Sequence, residues 1–241
     1  MKNKTVSICC FVDGLREYEM GTALVAIDVI RATTTAITAV SMGRPCYVAP
    51  SLRAAFNIAS QLPNPLLAGE TDGDMPAGFD MTNSPAQLAR LPDIPRPIVL
   101  LSSTGTRLMH EIRNSNSAYL ACFRNYRVTI GYLAANHNAV VLIGAGTRDE
   151  FREEDQMCCA WIADGLVKAG FVPEDATTRQ LIERWRGASQ DAFVISRSVD
   201  YLKRSGQLRD LEFILSHFDD INTACKLRVN DTSSLAVAAE V

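Results

Sequence analysis

Five apolar residues in a row, Ala23-Leu24-Val25-Ala26-Ile27, give way at once to Asp28-Val29-Ile30-Arg31-Ala32-Thr33-Thr34-Thr35. A short apolar run without alternation suits a strand buried on both faces, as in a parallel sheet covered by helices. From Thr34 to Met42 the pattern changes to a helical one, with Ala36, Ile37, Ala39 and Val40 on the inner side. The stretch between them is a strand-to-helix turn. In an open α/β sheet, ligands bind outside the carboxyl ends of the strands, where such turns lie. Asp28 at the tip suits a metal ligand or a nucleophile. Arg31 offers a forked donor for phosphate or carboxylate. The Thr33, Thr34 and Thr35 hydroxyls and the free N–H groups of the new helix make an anion cradle. The competing reading is that Thr33 caps the helix and that Arg31 and Asp28 form a surface pair.

The same alternation recurs along the chain. Strands are predicted at residues 5–12, 44–49, 66–68, 98–101, 117–122 and 140–143. Helices are predicted at 52–61, with Ser51 as N-cap, from Pro85, following Arg107 to about Ile112, at 128–135 and at 153–169. The last of these has Met157, Ala160, Trp161 and Leu166 or Val167 inside and is ended by Gly170. Asp13-Gly14 marks a turn. The polar loop from Gly69 to Asn83 is long enough to suggest function. Beyond Asp175 the pattern is mainly helical (178–185, 191–205, 208–217), with one late strand at 225–229. The tail from Asp231 lacks a clear period and is expected to fray. With no linker or repeat, the reading is one domain over residues 1–241. It is a three-layer α/β/α fold with a largely parallel sheet, open to a mixed arrangement, and a helical C-terminal part.

Composition narrows the function classes. A chain of 241 residues, 47% hydrophobic with a formal net charge of -3, has length for a large core. It shows no basic run, so nucleic acid is not an expected partner. No apolar stretch approaches a membrane span, and the short N-terminal run reads as a strand rather than a signal peptide. The 7 Cys are odd in number and include two adjacent pairs but no Cys-x-x-Cys. That excludes a disulfide framework or zinc site and predicts a cytoplasmic protein.

Four strand ends carry similar equipment: Asp28 to Thr34, Ser102-Ser103-Thr104-Gly105-Thr106-Arg107, Phe123-Arg124-Asn125 and Gly144-Ala145-Gly146-Thr147. If the strands are parallel, these tips gather on one edge rich in hydroxyls, Gly N–H groups and Arg, suited to a phosphorylated small molecule. Mg²⁺ asks for one or two carboxylates plus substrate oxygens and water, which Asp28 and Glu70 can supply. Asp72 and Asp74 do not complete a calcium loop, since Met75 stands where Gly is needed. Glu153, Glu154 and Asp155 open the long helix, where acidic groups stabilise the dipole by roughly 0.3–1 kcal/mol each. For Glu154 and Asp155 a functional role competes with that structural one. An Asp-x-Asp-x-Thr phosphatase would need Asp where Ile30 stands. The Cys10-to-Arg16 spacing lacks a following helix to cradle an anion, and no Walker loop exists. The three His (His110, His137, His217) lie at helix ends and are poor catalytic candidates.

Taken together, these residues resemble the 2-phosphosulfolactate phosphatase family. The similarity rests on Ala26 to Thr35, on Gly69-Glu70 with Gly78-Phe79-Asp80 and Asn83-Ser84-Pro85, and on Gly105-Thr106-Arg107. It continues with Asn125, Ala145-Gly146-Thr147, Glu154-Asp155 with Cys158, and more weakly Ser196-Arg197-Ser198. The resemblance implies a Mg²⁺-dependent acid phosphatase acting on (R)-2-phospho-3-sulfolactate, a step toward coenzyme M, with an α/β/α fold. Departures from the family pattern cluster in the implied pocket, at Thr71-Asp72-Gly73, Thr104, Tyr126-Arg127, Gly144 and Arg148-Asp149-Glu150. They leave room for a different phosphorylated or phosphonate hydroxy acid, or for a non-catalytic binder of phosphorylated metabolites.

The resulting expectations are specific. Asp28 and Glu70 hold Mg²⁺. Asp28, Arg31, Glu154 and Asp155 carry the catalytic work, with Asp28, Glu154 or Asp155 as the base, or Asp28 as the site of an aspartyl-phosphate. Thr33, Thr34, Asn83, Ser84, Thr104, Gly105, Thr106, Arg107, Asn125, Gly146, Thr147 and Arg197 bind a small anionic substrate. Homo-oligomerisation is left open.

Overall fold

The computed structural model describes residues 4–11, 18–92, 96–146, 150–230 and 234–240. The Asp13-Gly14 turn, Arg16 and Thr147 lie outside them. Ten strands form one sheet: β1 (Thr5–Cys10), β2 (Ala23–Ile27), β3 (Cys46–Ala49), β4 (Leu66–Gly69), β5 (Ile98–Leu101), β6 (Ala118–Ala121), β7 (Ala139–Gly144), β8 (Val172–Pro173), β9 (Ala224–Val229) and β10 (Leu235–Glu240). Their order is β4-β5-β3-β10-β9-β6-β2-β7-β1-β8. The helices are α1 (Ala32–Ser41), α2 (Leu52–Ala59), α3 (Pro85–Leu88), α4 (Gly105–Ile112), α5 (Tyr126–Asn136), α6 (Glu153–Lys168), α7 (Ala176–Trp185), α8 (Arg197–Arg204) and α9 (Leu208–Ser216).

The apolar runs become strands because helices cover both faces of the sheet. Alternate residues of one strand enter opposite cores. Leu24 and Ala26 join α1 and α4 residues such as Ile37, Leu108 and Met109 on one side. Ala23, Val25 and Ile27 join Met157, Ile162 and Leu166 of α6 on the other. A smaller cluster under α2 covers Val99 and Leu101. In α6, Met157, Ala160 and Leu166 are buried as expected, but so are Cys158, Cys159, Ile162 and Ala163, while Trp161 is half-buried. The seven cysteines are all free thiols.

Three sequence expectations are corrected. The tail does not fray: Leu235–Glu240 is β10, paired antiparallel with both β9 and β3 in the middle of the sheet. The helix expected over residues 191–205 is a 3-10 turn, Ala192–Ile195, then α8, separated at Ser196, whose side chain caps α8 by accepting from the Val199 amide. The helix from Pro85 is a single turn of four residues. Other boundaries shift by a residue or two at most element ends.

The sheet is mixed in an instructive way. β4, β5 and β3 are parallel to one another, and β6, β2, β7, β1 and β8 likewise. Three successive antiparallel pairings, β3–β10, β10–β9 and β9–β6, stand between the blocks. An odd number of reversals makes the two blocks opposite in local sense. A flat sheet would therefore send the ends of β2 and β5 to opposite edges. They meet nonetheless: a Cβ placed on Gly105, just after β5, would lie 2.0 Å from Asp28 Oδ2, just after β2. Twist reconciles the two facts. Five steps at roughly 20–25° each accumulate to on the order of 100°. The sheet thus coils around α1 and α4, and α4 packs on both β2 and β3. Parallel strands alone would gather the tips on one edge; here β2 and β5 are opposite in local sense, and the accumulated twist accounts for their meeting.

Candidate active site

Asp28 is fixed by the strand before it and the helix after it. Its amide donates to Thr33 Oγ1 (3.0 Å), and the same hydroxyl donates back to its carbonyl (2.8 Å). Ser102, at the end of β5, is held identically by Thr106: amide to Oγ1 at 3.0 Å, hydroxyl to carbonyl at 2.8 Å. Each threonine locks the turn in front of its helix. Thr34 Oγ1 donates to the Val29 carbonyl (2.8 Å). The Thr33, Thr34 and Thr106 hydroxyls, expected to cradle an anion, are therefore bound to backbone. Thr33 is not the helix cap either; Arg31 occupies that position without a side-chain cap bond.

Four carboxylates surround this turn, and each is buried. Burial pushes the Asp28 carboxyl up to about 7, reinforced by Glu70 and Glu154 and opposed by the Ala32 amide and Arg31. Burial also raises Glu154, against the pull of the Ser198 and Ser196 hydroxyls. Asp155 is raised well above the usual range by burial, then by Asp28 and Glu154. Glu154 thus disfavours ionisation of Asp28, and both disfavour that of Asp155. Glu154 Oε2 has no hydrogen-bond partner. Asp155 is a staple: Oδ1 accepts from the Val29 amide (2.8 Å) and Oδ2 from the Gly146 amide (3.4 Å), joining the turns after β2 and β7. Glu70 joins the loops after β4 and β5. Its Oε1 accepts from the Ser103 amide (2.6 Å), and its Oε2 from the Ser103 hydroxyl (2.9 Å) and the Gly73 amide (2.7 Å).

The chemistry of this donor set fits a cation. Buried carboxylates raise one another's pKa, and one buried oxygen lacks a partner. Among the described residues no group of three or more His, Cys, Asp or Glu is arranged to hold a metal ion. A resident ion would therefore have at most two protein carboxylates among the described residues and leave its other positions to water and substrate, as Mg²⁺ commonly does. Glu70 uses three of its roughly four lone-pair sites, so one on Oε1 stays open.

Several predicted site residues have other occupations. Arg31 is buried; its Nη1 donates to Asp210 Oδ2 at 2.6 Å and to Gln207 Oε1, so it pairs neither with Asp28 nor at the surface. Ser84 donates to Asp210 Oδ1 and caps α3 by accepting from the Gln87 amide. The Asn83 carbonyl accepts from Thr35. Asn125 holds its own turn, with Oδ1 accepting from the Cys122 amide (3.0 Å) and Nδ2 reaching the Leu120 and Thr223 carbonyls. Thr104 precedes α4 without a side-chain cap bond. Arg107 is exposed, and Arg197, also exposed, pairs with Glu150. His110 and His137 bond Val48 O and Tyr119, away from the carboxylates. Sequence reasoning missed Asp210. Its signal was a lone carboxylate on the buried stripe of α9, beside Leu211 and Ile214.

The sequence that builds this arrangement, with glycine pressed against a strand-tip aspartate and buried acids on an adjoining helix, matches known proteins. A family model for 2-phosphosulpholactate phosphatase matches residues 9–228. The chain belongs to the 2-phosphosulpholactate phosphatase family. As its name states, this is a family of phosphoric monoester hydrolases. A probable 2-phosphosulfolactate phosphatase of Symbiobacterium thermophilum is 31% identical over 201 residues, 80% of this chain and 86% of that one. One from Caldicellulosiruptor saccharolyticus is 26% identical over 214 residues, 85% of this chain and 88% of its own. One from Pseudothermotoga lettingae is 36% identical over 138 residues, 57% of this chain; the match spans 59% of that relative's length. In this family member the matched region contains every carboxylate of the cluster. No helix among the described residues is long and apolar enough to cross a membrane.

Proposed function

We propose that the protein is a Mg²⁺-dependent phosphatase of a small 2-phospho acid, with 2-phosphosulfolactate as the leading substrate. The carrying observation is the buried, cation-seeking carboxylate cluster on the strand tips of a phosphatase-family chain. Asp28, whose carboxyl Glu70 helps to raise, and Glu70 itself are the residues that would hold the ion. When bound, Mg²⁺ supplies polarisation of the phosphate oxygens and offsets the cluster's charge.

The remaining chemistry belongs to the chain. Asp155 is engaged at both oxygens by backbone amides. Glu154, with one unpartnered oxygen and a raised pKa, is left as the proton acceptor. A base tuned toward the working pH is effective in this role. It takes a proton from water as the water oxygen bonds to phosphorus. The ester P–O bond breaks, and the proton returns to the leaving alkoxide. Gly105 opens α4, whose first-turn N–H groups supply donors for the phosphate. Asp155 and Arg31 act by position: one fixes the turns, the other ties the signature stretch to α9.

Phospholactate, phosphoglycolate, phosphosulfolactate and phosphonate analogues should be assayed for phosphate release with Mg²⁺ and after EDTA. We expect release from at least one phosphate ester, abolished by EDTA and restored by Mg²⁺. Undiminished turnover in metal-free buffer removes the ion from the reading. Tight binding without release from any of them replaces the hydrolase with a binder.

A further inference from the structure

A cavity of about 380 Å³ lies on the far side of the Arg31–Asp210 pair, between α3 and α9. Its walls include Ser84, Gln87, Arg90, Gln207, Arg209 and Asp210; none of the four clustered carboxylates lines it. Its volume is at the low end for ligand sites, enough for a small metabolite and too little for a nucleotide. Asp210 is its only carboxylate among the described residues and is already taken by Arg31, Ser84 and the Ala86 amide. Arg90 and Arg209 are exposed and pair with no carboxylate among the described residues. Both N–H groups of Gln207 are engaged by the Tyr201 and Ser205 hydroxyls. The cavity thus presents the Gln87 amide and two guanidinium forks with no carboxylate partner among the described residues. That is a donor set for a small anion of two or more charges.

The same cavity is wired to the site. Gln207 lines it, and its Oε1 accepts from Arg31 of the signature turn. Its Nε2 donates to the Tyr201 hydroxyl (3.3 Å), which donates to the Gly73 carbonyl (2.5 Å). The Gly73 amide in turn donates to Glu70 Oε2 at 2.7 Å. One amide side chain therefore touches the cavity and the Asp28–Arg31 turn, and reaches the loop carrying Glu70 through the Tyr201 hydroxyl.

We propose that the cavity between α3 and α9 binds a small multiply charged anion, apart from the substrate, and passes its occupancy to the active site through Gln207. The binding claim is independent of the phosphatase reading; the passage to the active site rests on it. Sulfate is the probe, with malonate in parallel, titrated into the intact protein by calorimetry and into the assay over a range of substrate concentrations up to saturation. Tighter sulfate binding points to an inorganic or phosphoryl anion and tighter malonate to an organic dicarboxylate; either supports the site. The expected result is saturable binding and at least a twofold change in kcat. Both are lost in the Arg90→Ala/Arg209→Ala variant, whose KM and kcat without sulfate match the parent. Gln207→Ala should keep the binding and lose the change in kcat. Equal binding by the parent and the double variant overturns the site. A rise in KM with constant kcat overturns the separation from the substrate. If no phospho acid is hydrolysed, calorimetry alone still decides the binding claim.

Discussion

At the scale of single residues, Asp28 combines a demand of chemistry with a cost to stability. Its carboxyl is raised to about 7 in the fold from an ordinary 3.8. The folded chain therefore holds this proton more tightly than the unfolded one. Its contribution to the stability of the metal-free protein is greatest below pH about 4 and is lost as pH rises through about 7, by on the order of 4 kcal/mol at most. Mg²⁺ should restore the loss above pH 7. Asp28→Asn removes the charge and keeps the shape. We expect it to raise the metal-free Tm at pH 8, to flatten the dependence of Tm on pH, and to lower kcat/KM by at least about 10³-fold. Melting curves from pH 5 to 8 on the same samples used for kinetics check all three; an active Asn variant would take Asp28 out of the mechanism. Gly105 makes a second residue-scale forecast. A methyl group there would stand 2.0 Å from Asp28 Oδ2 and 2.5 Å from Ala32 Cβ. Gly105→Ala should cost about 1–3 kcal/mol in overpacking and displace the carboxylate. Activity should fall further than stability, as urea titration and initial rates together would show.

Elements matter here chiefly as clamps. Asp210 on α9 receives Arg31 from the turn before α1, and Ser84 and the Ala86 amide from the start of α3. Three segments far apart in sequence close on one buried carboxylate. Asp210→Ala leaves Arg31 buried and unpaired, a change that typically costs about 3–5 kcal/mol. Equilibrium unfolding in urea should register it; a loss below about 1 kcal/mol would mean that water replaces the partner. The strand-to-helix turns themselves were legible, because a buried apolar run ending in Asp or Ser and followed by Thr has few other uses. The direction of the hydroxyls was not. Thr33 and Thr106 face back onto the strand-tip backbone rather than toward a ligand. Residue type alone cannot distinguish the two directions, since a hydroxyl satisfies a carbonyl as readily as a phosphate. Arg31 was open to the same ambiguity. Its partner lies 179 positions away, and only the tertiary fold brings it near.

For the whole molecule, the alternation of apolar runs and helical stretches was enough to indicate an α/β/α protein, because few other architectures bury such strands on both faces. What escaped the sequence was β10. Leu235 and Val237 point into the core, but the intervening residues are alanines, so the twofold alternation is masked. That strand holds the two parallel blocks together: it pairs with β3 on one side and β9 on the other. A chain cut after Asn230 should therefore lose the cooperative unfolding transition rather than a few tenths of a kcal/mol. Circular dichroism melting and gel filtration of that truncation test this; a monomeric species with a sharp melt would show that β10 is dispensable. The position of β10 also sets an order on biosynthesis. The strand that completes the sheet centre is made after the other nine. β3 is finished at Ala49 and β10 at Glu240. At roughly 5–20 residues per second a ribosome takes about 10–40 s to cover that interval. Throughout it the β3 edge stands unpaired in a nascent chain, a template for neighbours on the same polysome. The arrangement that brings the carboxylates together thus makes each new copy depend, for tens of seconds, on whatever in the cell shields a waiting strand.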